Sequence, residues 1–171
     1  MAEDVEERRM KKHFEGFTVI GITARTSNMR EMGLEGESVI AKLWDRWFRD
    51  ALFAKIPNQI EEATLALYYD YDDGRRGDYS YMIGVKVSGN ADVPAGMVKL
   101  VVPPGEYRSY ETDRGAIWDT IPAIWKRIWQ EEHQGDLKRS YGIDFELFDD
   151  RAASPEDAVV EVWVGELSRS I

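Results

Sequence analysis

The feature that most constrains this chain is that it runs twice through the same order of secondary-structure elements. A β-branched segment at Phe17–Ala24 predicts a strand, and an amphipathic segment from Val39 to Leu52 predicts a helix capped by Ser38. Two strands joined by a polar turn follow at residues 64–71 and 79–87. After a polar boundary the order returns, with strand at 97–102 and 107–111, a helix over Ile117–Trp129, and strands at 143–148 and 159–165.

The two halves also match in residue type. The helix pattern Leu43-Trp44-x-x-Trp47-Phe48 corresponds to Ile124-Trp125-x-x-Ile128-Trp129, and the hairpin segment Tyr69–Asp73 corresponds to Glu146–Asp150. These matches indicate a weak internal repeat. Pro122 leaves the start of the second helix open, because the helix either begins near this proline or kinks there after an earlier turn.

Two βαββ units related by a pseudo-twofold axis form one antiparallel sheet, with both helices on one face and a ligand groove between the halves. We therefore predict an α+β fold with one domain at residues 13–167, whose halves span about 13–88 and 95–167. Residues 1–12 are charged and offer little to bury, which is typical of a flexible N-terminal tail.

Composition excludes several function classes. The 171 residues include 22 Lys and Arg against 32 Asp and Glu, and the net charge of −10 argues against direct nucleic-acid binding. The absence of cysteine and the presence of only two histidines argue against thiolate chemistry and multi-histidine metal sites, so we expect no metal and no cofactor. No apolar run spans a bilayer and no signal peptide is evident, so we expect a cytoplasmic protein without membrane contact.

One acidic residue stands out in the penultimate strand. Alternation puts Glu146 and Phe148 on one face of this strand, and Phe145 and Leu147 on the other. If Phe145 and Leu147 pack on the helices, Glu146 faces the open side of the sheet, where the closing strand similarly presents Trp163. A carboxylate beside aromatic rings suits a lipophilic cation. The alternative is a solvent-facing glutamate on an amphipathic strand.

Three further aromatic residues are candidate walls of such a site. Trp125 lies on the apolar seam of the second helix, where core packing is the alternative explanation. Tyr69 belongs to a tyrosine-rich hairpin, in which strand propensity alone also accounts for tyrosines. Tyr107 follows the break at Pro103-Pro104-Gly105, where a bend in the strand aims a ring towards a site.

The chain resembles the GyrI-like small-molecule-binding domain, also called the AraC effector-binding domain, over roughly residues 11–167. The segments that carry the resemblance are Ile121–Trp129, Asp144–Asp149, Val159–Gly165 and Val102–Tyr107. The resemblance implies the duplicated βαββ fold and a groove for lipophilic, often cationic, small molecules. It also implies that Glu146 is the ligand carboxylate, with Phe148 and Trp163 placed beside it by strand geometry and Tyr69 by pseudo-symmetry.

Many relatives in that family are sensor halves of transcription factors. Because only about 12 residues precede the domain here, we expect a stand-alone member without a DNA-binding module. The preferred interpretation is a binding protein for hydrophobic or cationic small molecules, involved in drug or toxin sensing, sequestration or resistance. Two alternatives remain open: a hydrolase of strained cyclopropane-containing genotoxins with Glu146 as its catalytic group, and a gyrase-inhibitor-type module with a protein partner. The sequence does not indicate the oligomeric state.

Overall fold

The computed structural model describes residues 11–167, which form one eight-stranded antiparallel sheet with helices packed on it. The strands are β1 Lys11–Phe14, β2 Phe17–Ser27, β3 Thr64–Tyr69, β4 Asp78–Val87, β5 Val98–Val102, β6 Gly105–Glu111, β7 Asp144–Phe148 and β8 Glu161–Gly165. The α-helices are α1 Asn28–Glu31, α2 Val39–Arg49 and α3 Ile117–Gln134, and short 3-10 helices lie at Leu52–Lys55 and Asp150–Ala152. The predicted α+β class is confirmed.

The order of strands across the sheet shows the duplication directly. The order is β1-β6-β8-β7-β3-β4-β2-β5, so β7 and β3 are central neighbours and each half extends outwards from them in the same sequence. The outermost strands are exchanged, because β1 pairs with β6 of the second half and β5 pairs with β2 of the first. Each half therefore begins with a strand that completes the other half.

This exchange corrects the prediction for the start of the chain. Lys11 and Lys12 were assigned to a flexible tail, but they belong to β1 and pair with Arg108 and Tyr107. Phe14 anchors the strand, since its ring packs edge-on against Tyr107 at a centroid distance of 5.3 Å. The remainder of the predicted tail, residues 1–10, lies outside the described residues.

Helix α2 begins where the sequence predicts because its first amides find acceptors. The Ser38 hydroxyl accepts from the Ala41 N–H at 3.0 Å, as an N-cap does. The Glu31 carboxylate, at the end of α1, accepts from the N–H groups of Val39 and Ile40 at 3.0 and 3.3 Å. These bonds satisfy three of the four amides that a helix start leaves unpaired, and they tie α1 to α2.

Helix α3 settles the ambiguity over Pro122 in favour of an earlier start. The helix begins at Ile117, whose N–H donates to the Pro155 carbonyl at 2.9 Å, and Pro122 lies inside it. A proline here removes only the amide that would bond the Trp118 carbonyl, four residues earlier. The helix ends at Gly135, whose left-handed φ of 86° suits a C-terminal glycine.

Both long helices pack on the same face of the sheet, as predicted. Leu43 and Trp47 of α2 join one buried cluster with Ile83, while Ile124 and Ile128 of α3 join a second. The opposite face has its own apolar cluster, which includes Leu65, Leu67, Tyr107 and Phe145. The sheet is therefore buried on both faces. Within residues 11–167, no helix is long and apolar enough to cross a membrane.

Candidate ligand-binding groove

A groove of about 1040 Å³ lies between α2 and α3, over the centre of the sheet. Its floor is formed by side chains of β3, β4 and β7, among them Tyr68, Tyr81 and Glu146. Its walls come from the two helices, with Trp44 on α2 and Trp125 on α3. The groove has the size and the aromatic lining of a small-molecule site, and it lies between the halves, as the sequence predicts.

Glu146 is a buried carboxylate that bonds to neutral donors. It is 2% exposed, and its Oε2 accepts from the Trp125 indole N–H at 2.7 Å and from the Tyr68 hydroxyl at 2.9 Å. Its Oε1 accepts no hydrogen bond from the described residues. Burial raises the pKa of Glu146 to about 7, although the bonds from Trp125 and Tyr68 oppose this rise. Near neutral pH the group can therefore lose or keep its proton.

A second buried carboxylate on the same strand has a different environment. Asp144 Oδ2 lies 2.7 Å from a guanidinium nitrogen of Arg139 and also accepts from the Tyr71 hydroxyl at 2.6 Å. Its Oδ1 accepts from the Gly165 N–H at 2.8 Å. Asp144 is thus a paired structural charge, whereas no described Lys, Arg or His lies within 4 Å of the Glu146 carboxylate.

A third carboxylate, Glu31, also lines the groove but is fully used by the fold. Besides the two α2 amides, it accepts from the hydroxyls of Thr26 at 2.6 Å and Ser38 at 2.5 Å. Its charge lies at a helix N-terminus, where the helix dipole favours it. Unlike Glu31, Glu146 therefore has a charge that the fold leaves without compensation from the described residues.

Aromatic rings surround Glu146 in a connected set. The Tyr68 ring packs against those of Tyr81 and Trp125, each at a centroid distance of 5.1 Å. Trp44 donates its indole N–H to the Tyr81 hydroxyl at 2.9 Å and packs edge-on against Phe148 at 5.1 Å. Burial raises the pKa of Tyr68 and Tyr81 well above the usual value, so both hydroxyls stay neutral. The groove can thus present ring faces and one carboxylate to a cation.

Three of the six site residues predicted from sequence meet in this groove, and three do not. Glu146, Phe148 and Trp125 line it together. The prediction that the other three lie beside Glu146 is wrong. They belong to the apolar cluster on the opposite face of the sheet, and they are Trp163, Tyr69 and Tyr107.

The strand register explains this correction. Glu146 pairs with Val162 across β7 and β8, while Phe145 pairs with Trp163. Because paired residues point to the same face, Trp163 shares the face of Phe145, away from the helices. The assumption that Phe145 packs on the helices was therefore wrong, and Glu146 faces the helices instead. Tyr69 likewise points away, with its hydroxyl 2.7 Å from Thr23 Oγ1.

Sequence reasoning missed Tyr68, Tyr81 and Trp44 as groove residues. Adjacent strand residues face opposite sides, so the choice between Tyr68 and Tyr69 follows once the helix-facing side of β3 is known. The strand pairing fixes that side. Ala66 pairs with Glu146, so Tyr68, two residues further along β3, lies on the same face as Glu146.

Comparison with known proteins agrees with this geometry. Residues 12–165 match the family model described as integron-associated effector binding protein, Cass2. The chain belongs to this family. Its function is therefore the binding of small effector molecules, and the resemblance to GyrI-like domains inferred from the sequence is confirmed.

Individual relatives support the same assignment. YobU of Bacillus subtilis (strain 168) is 28% identical over 145 residues, which cover 84% of this chain and 88% of YobU. The Vibrio cholerae integron cassette protein VCH_CASS2 has a TM-score of 0.69 at 24% identity, over 92% of this chain and 94% of its own. SAV2435, solved with bound tetraphenylphosphonium, has a TM-score of 0.70 at 20% identity, over 92% of each chain. The two structural likenesses show a shared fold.

Proposed function

We propose that this effector-binding protein takes up lipophilic cations in the groove, with Glu146 as the counter-charge. The observation that carries the proposal is that Glu146 is buried among aromatic rings and paired with no cation of the described chain. A buried charge without a partner is costly, and a ligand cation would remove that cost. The tetraphenylphosphonium bound to SAV2435, a protein of the same fold, supports this class of ligand.

Calorimetric titration with tetraphenylphosphonium at pH 8 tests the proposal. The wild-type protein should bind the ion, and Glu146→Gln should weaken binding by about tenfold to a hundredfold, since it removes a desolvated charge pair. Glu62→Gln is a matched control, because Glu62 is exposed, lies outside the groove and carries the same charge. Equal affinities of wild type and Glu146→Gln would contradict the role of Glu146.

A hydrolase remains a second candidate because of one specific observation. Burial raises the pKa of Glu146 to about 7, the range in which a carboxyl group serves as a general acid or base. The Tyr68 hydroxyl, which donates to Glu146 at 2.9 Å, would help orient a bound molecule or a water. Incubation of stoichiometric protein with a cyclopropane-containing genotoxin tests this function. Formation of a ring-opened product that Glu146→Gln abolishes would support hydrolysis. The absence of any product over hours would contradict hydrolysis and favour a binding function.

The gyrase-inhibitor-type interpretation stays a prediction that rests on the net charge of −10. A pull-down with gyrase at low and high salt tests it, because salt screens interactions between exposed charges. An association that disappears at high salt would support it, and no association at low salt would contradict it.

A further inference from the structure

The groove also holds an arginine that forms no ion pair with any residue in the range 11–167. Arg75 lies at the tip of the hairpin between β3 and β4, is partly buried and lines the groove. Among residues 11–167, its guanidinium has no carboxylate within 4 Å and no hydrogen-bond acceptor. By contrast, the other arginine of the groove, Arg139, is paired with Asp144 at 2.7 Å. Arg25, which binds the same hairpin, is paired with Asp72 at 2.7 Å.

The backbone of Arg75 is nevertheless held from several sides. The Asn28 side-chain amide donates to the Arg75 carbonyl at 2.9 Å, which links the hairpin tip to α1. Gly74, with φ of 50°, lies so close to the Tyr141 ring that a Cβ there would be 3.4 Å from it. The hydrogen bond from Asn28 therefore holds the Arg75 backbone without using the charge of its guanidinium.

The guanidinium of Arg75 determines which chemical group would bind there. It offers several N–H donors in a planar fork and has no acceptor of its own. A carboxylate matches this fork with two parallel charge-assisted hydrogen bonds. An acidic group is therefore the partner that suits Arg75.

We propose that the groove accommodates aromatic zwitterions, with the cationic part of the ligand at Glu146 and a ligand carboxylate at Arg75. This inference rests on the proposed function of Glu146 as the counter-charge. In a protein of net charge −10, a ligand carboxylate is repelled overall, so a local guanidinium is needed to retain it. Arg75 thereby becomes a specificity residue that distinguishes zwitterions from simple cations.

Two dyes that differ in a single group test the proposal. Rhodamine 6G is a cationic ethyl ester, and rhodamine 19 is the corresponding free acid with the same chromophore. Fluorescence polarisation at pH 7.5 measures the dissociation constant of each dye. The quantity compared is the constant for rhodamine 6G divided by the constant for rhodamine 19, because contributions common to both dyes cancel in it. A high ratio means that the protein prefers the free acid. Arg75→Gln should lower this ratio about tenfold, as expected for the loss of a charge-assisted hydrogen bond.

The neighbouring residue provides a matched control. Arg76 is exposed, lies outside the groove and carries the same charge on the same hairpin tip, so Arg76→Gln should leave the ratio within about twofold of wild type. Arg75→Lys, which keeps the charge, should retain most of the ratio, and thermal unfolding of each variant checks that the fold is intact. A ratio that is unchanged in Arg75→Gln, or lowered equally in Arg76→Gln, overturns the proposal.

The same data separate the two proposals. If Glu146→Gln weakens both dyes while Arg75→Gln leaves the ratio unchanged, the cation site stands and the zwitterion site is overturned. If Glu146→Gln changes neither affinity while Arg75→Gln lowers the ratio, the acid-binding role of Arg75 is supported and the role of Glu146 is overturned. If the wild-type protein binds tetraphenylphosphonium but neither dye, the cation site stands and the zwitterion site is overturned.

Discussion

Binding of a permanent cation should depend on pH through Glu146. Burial raises the pKa of this carboxyl to about 7, so a growing fraction of the free protein carries a neutral Glu146 as the pH falls below 7. Only the ionised form offers a counter-charge. Cation affinity should therefore be full above the pKa and be lost as the pH falls through it, the direction expected when the ligand selects the deprotonated state.

The magnitude follows from the pKa. For a site with a pKa near 7, the competent fraction falls about tenfold between pH 8 and pH 6, which corresponds to about 1.4 kcal/mol of binding free energy. Tetraphenylphosphonium is a suitable ligand because its own charge does not titrate. Calorimetry at half-unit steps across this range should show the affinity levelling off above pH 8 and falling about tenfold for each unit well below pH 7.

Glu146→Gln is the control for this measurement. The glutamine keeps an oxygen that can accept from Trp125 and Tyr68, but it does not titrate, so the residual affinity of this variant should be nearly independent of pH. A wild-type affinity that varies by less than twofold between pH 8 and pH 6 would refute the reasoning. So would an equally steep loss in the variant, because the titrating group would then be another residue.

Three further expectations concern stability and the opposite face. Glu146→Gln should raise the free energy of unfolding by up to about 3 kcal/mol at pH 8 and hardly at pH 4.5. The reason is that the pKa of Glu146 is higher in the folded than in the unfolded protein, so the wild type loses stability as the pH rises from the unfolded to the folded pKa. Urea unfolding at both pH values measures the difference. Arg139→Leu should cost about 3–5 kcal/mol by leaving Asp144 buried and unpaired, and a loss below about 1 kcal/mol would contradict it. Trp163→Leu should lower stability by about 1–3 kcal/mol and leave the affinity for tetraphenylphosphonium within twofold of wild type, as urea unfolding and calorimetry would show.

Much of the fold followed from periodicity. The 3.6-residue pattern with Ser38 as cap predicted α2 to within a few residues, and two-residue alternation put Glu146 and Phe148 on one face of β7, as observed. The exchange of β1 and β5 was not predictable, because the short segment Lys11–Phe14 reads as charged and its partner, β6, is about 90 residues distant.

The choice of face was the step that sequence could not decide. Alternation tells which residues share a face but not which face meets the helices, and both faces of β7 are buried: Phe145 and Glu146 are each 2% exposed. Hydrophobicity therefore favoured the wrong side. Tyr69 failed for a related reason. The internal repeat aligned Tyr69 with Glu146. A twofold axis that keeps both helices on one face of the sheet relates only residues that share a face. Glu146 faces the helices and Tyr69 faces the opposite side, so the axis cannot relate them.

The ion pair between Asp144 and Arg139 affects the surroundings of Glu146. The Arg139 guanidinium lies 5.5 Å from the centre of the Trp125 ring, and the indole of Trp125 donates to Glu146, so only one side chain separates the arginine from the Glu146 carboxylate. Asp144 binds that guanidinium at 2.7 Å, two residues before Glu146 on the same face of β7. Asp144 therefore does more than stabilise the sheet. Because it binds Arg139, that guanidinium is already paired, and the hydrogen bonds that Glu146 accepts within residues 11–167 come from neutral donors. If Glu146 is the counter-charge that we propose, this pairing keeps it available for a ligand cation.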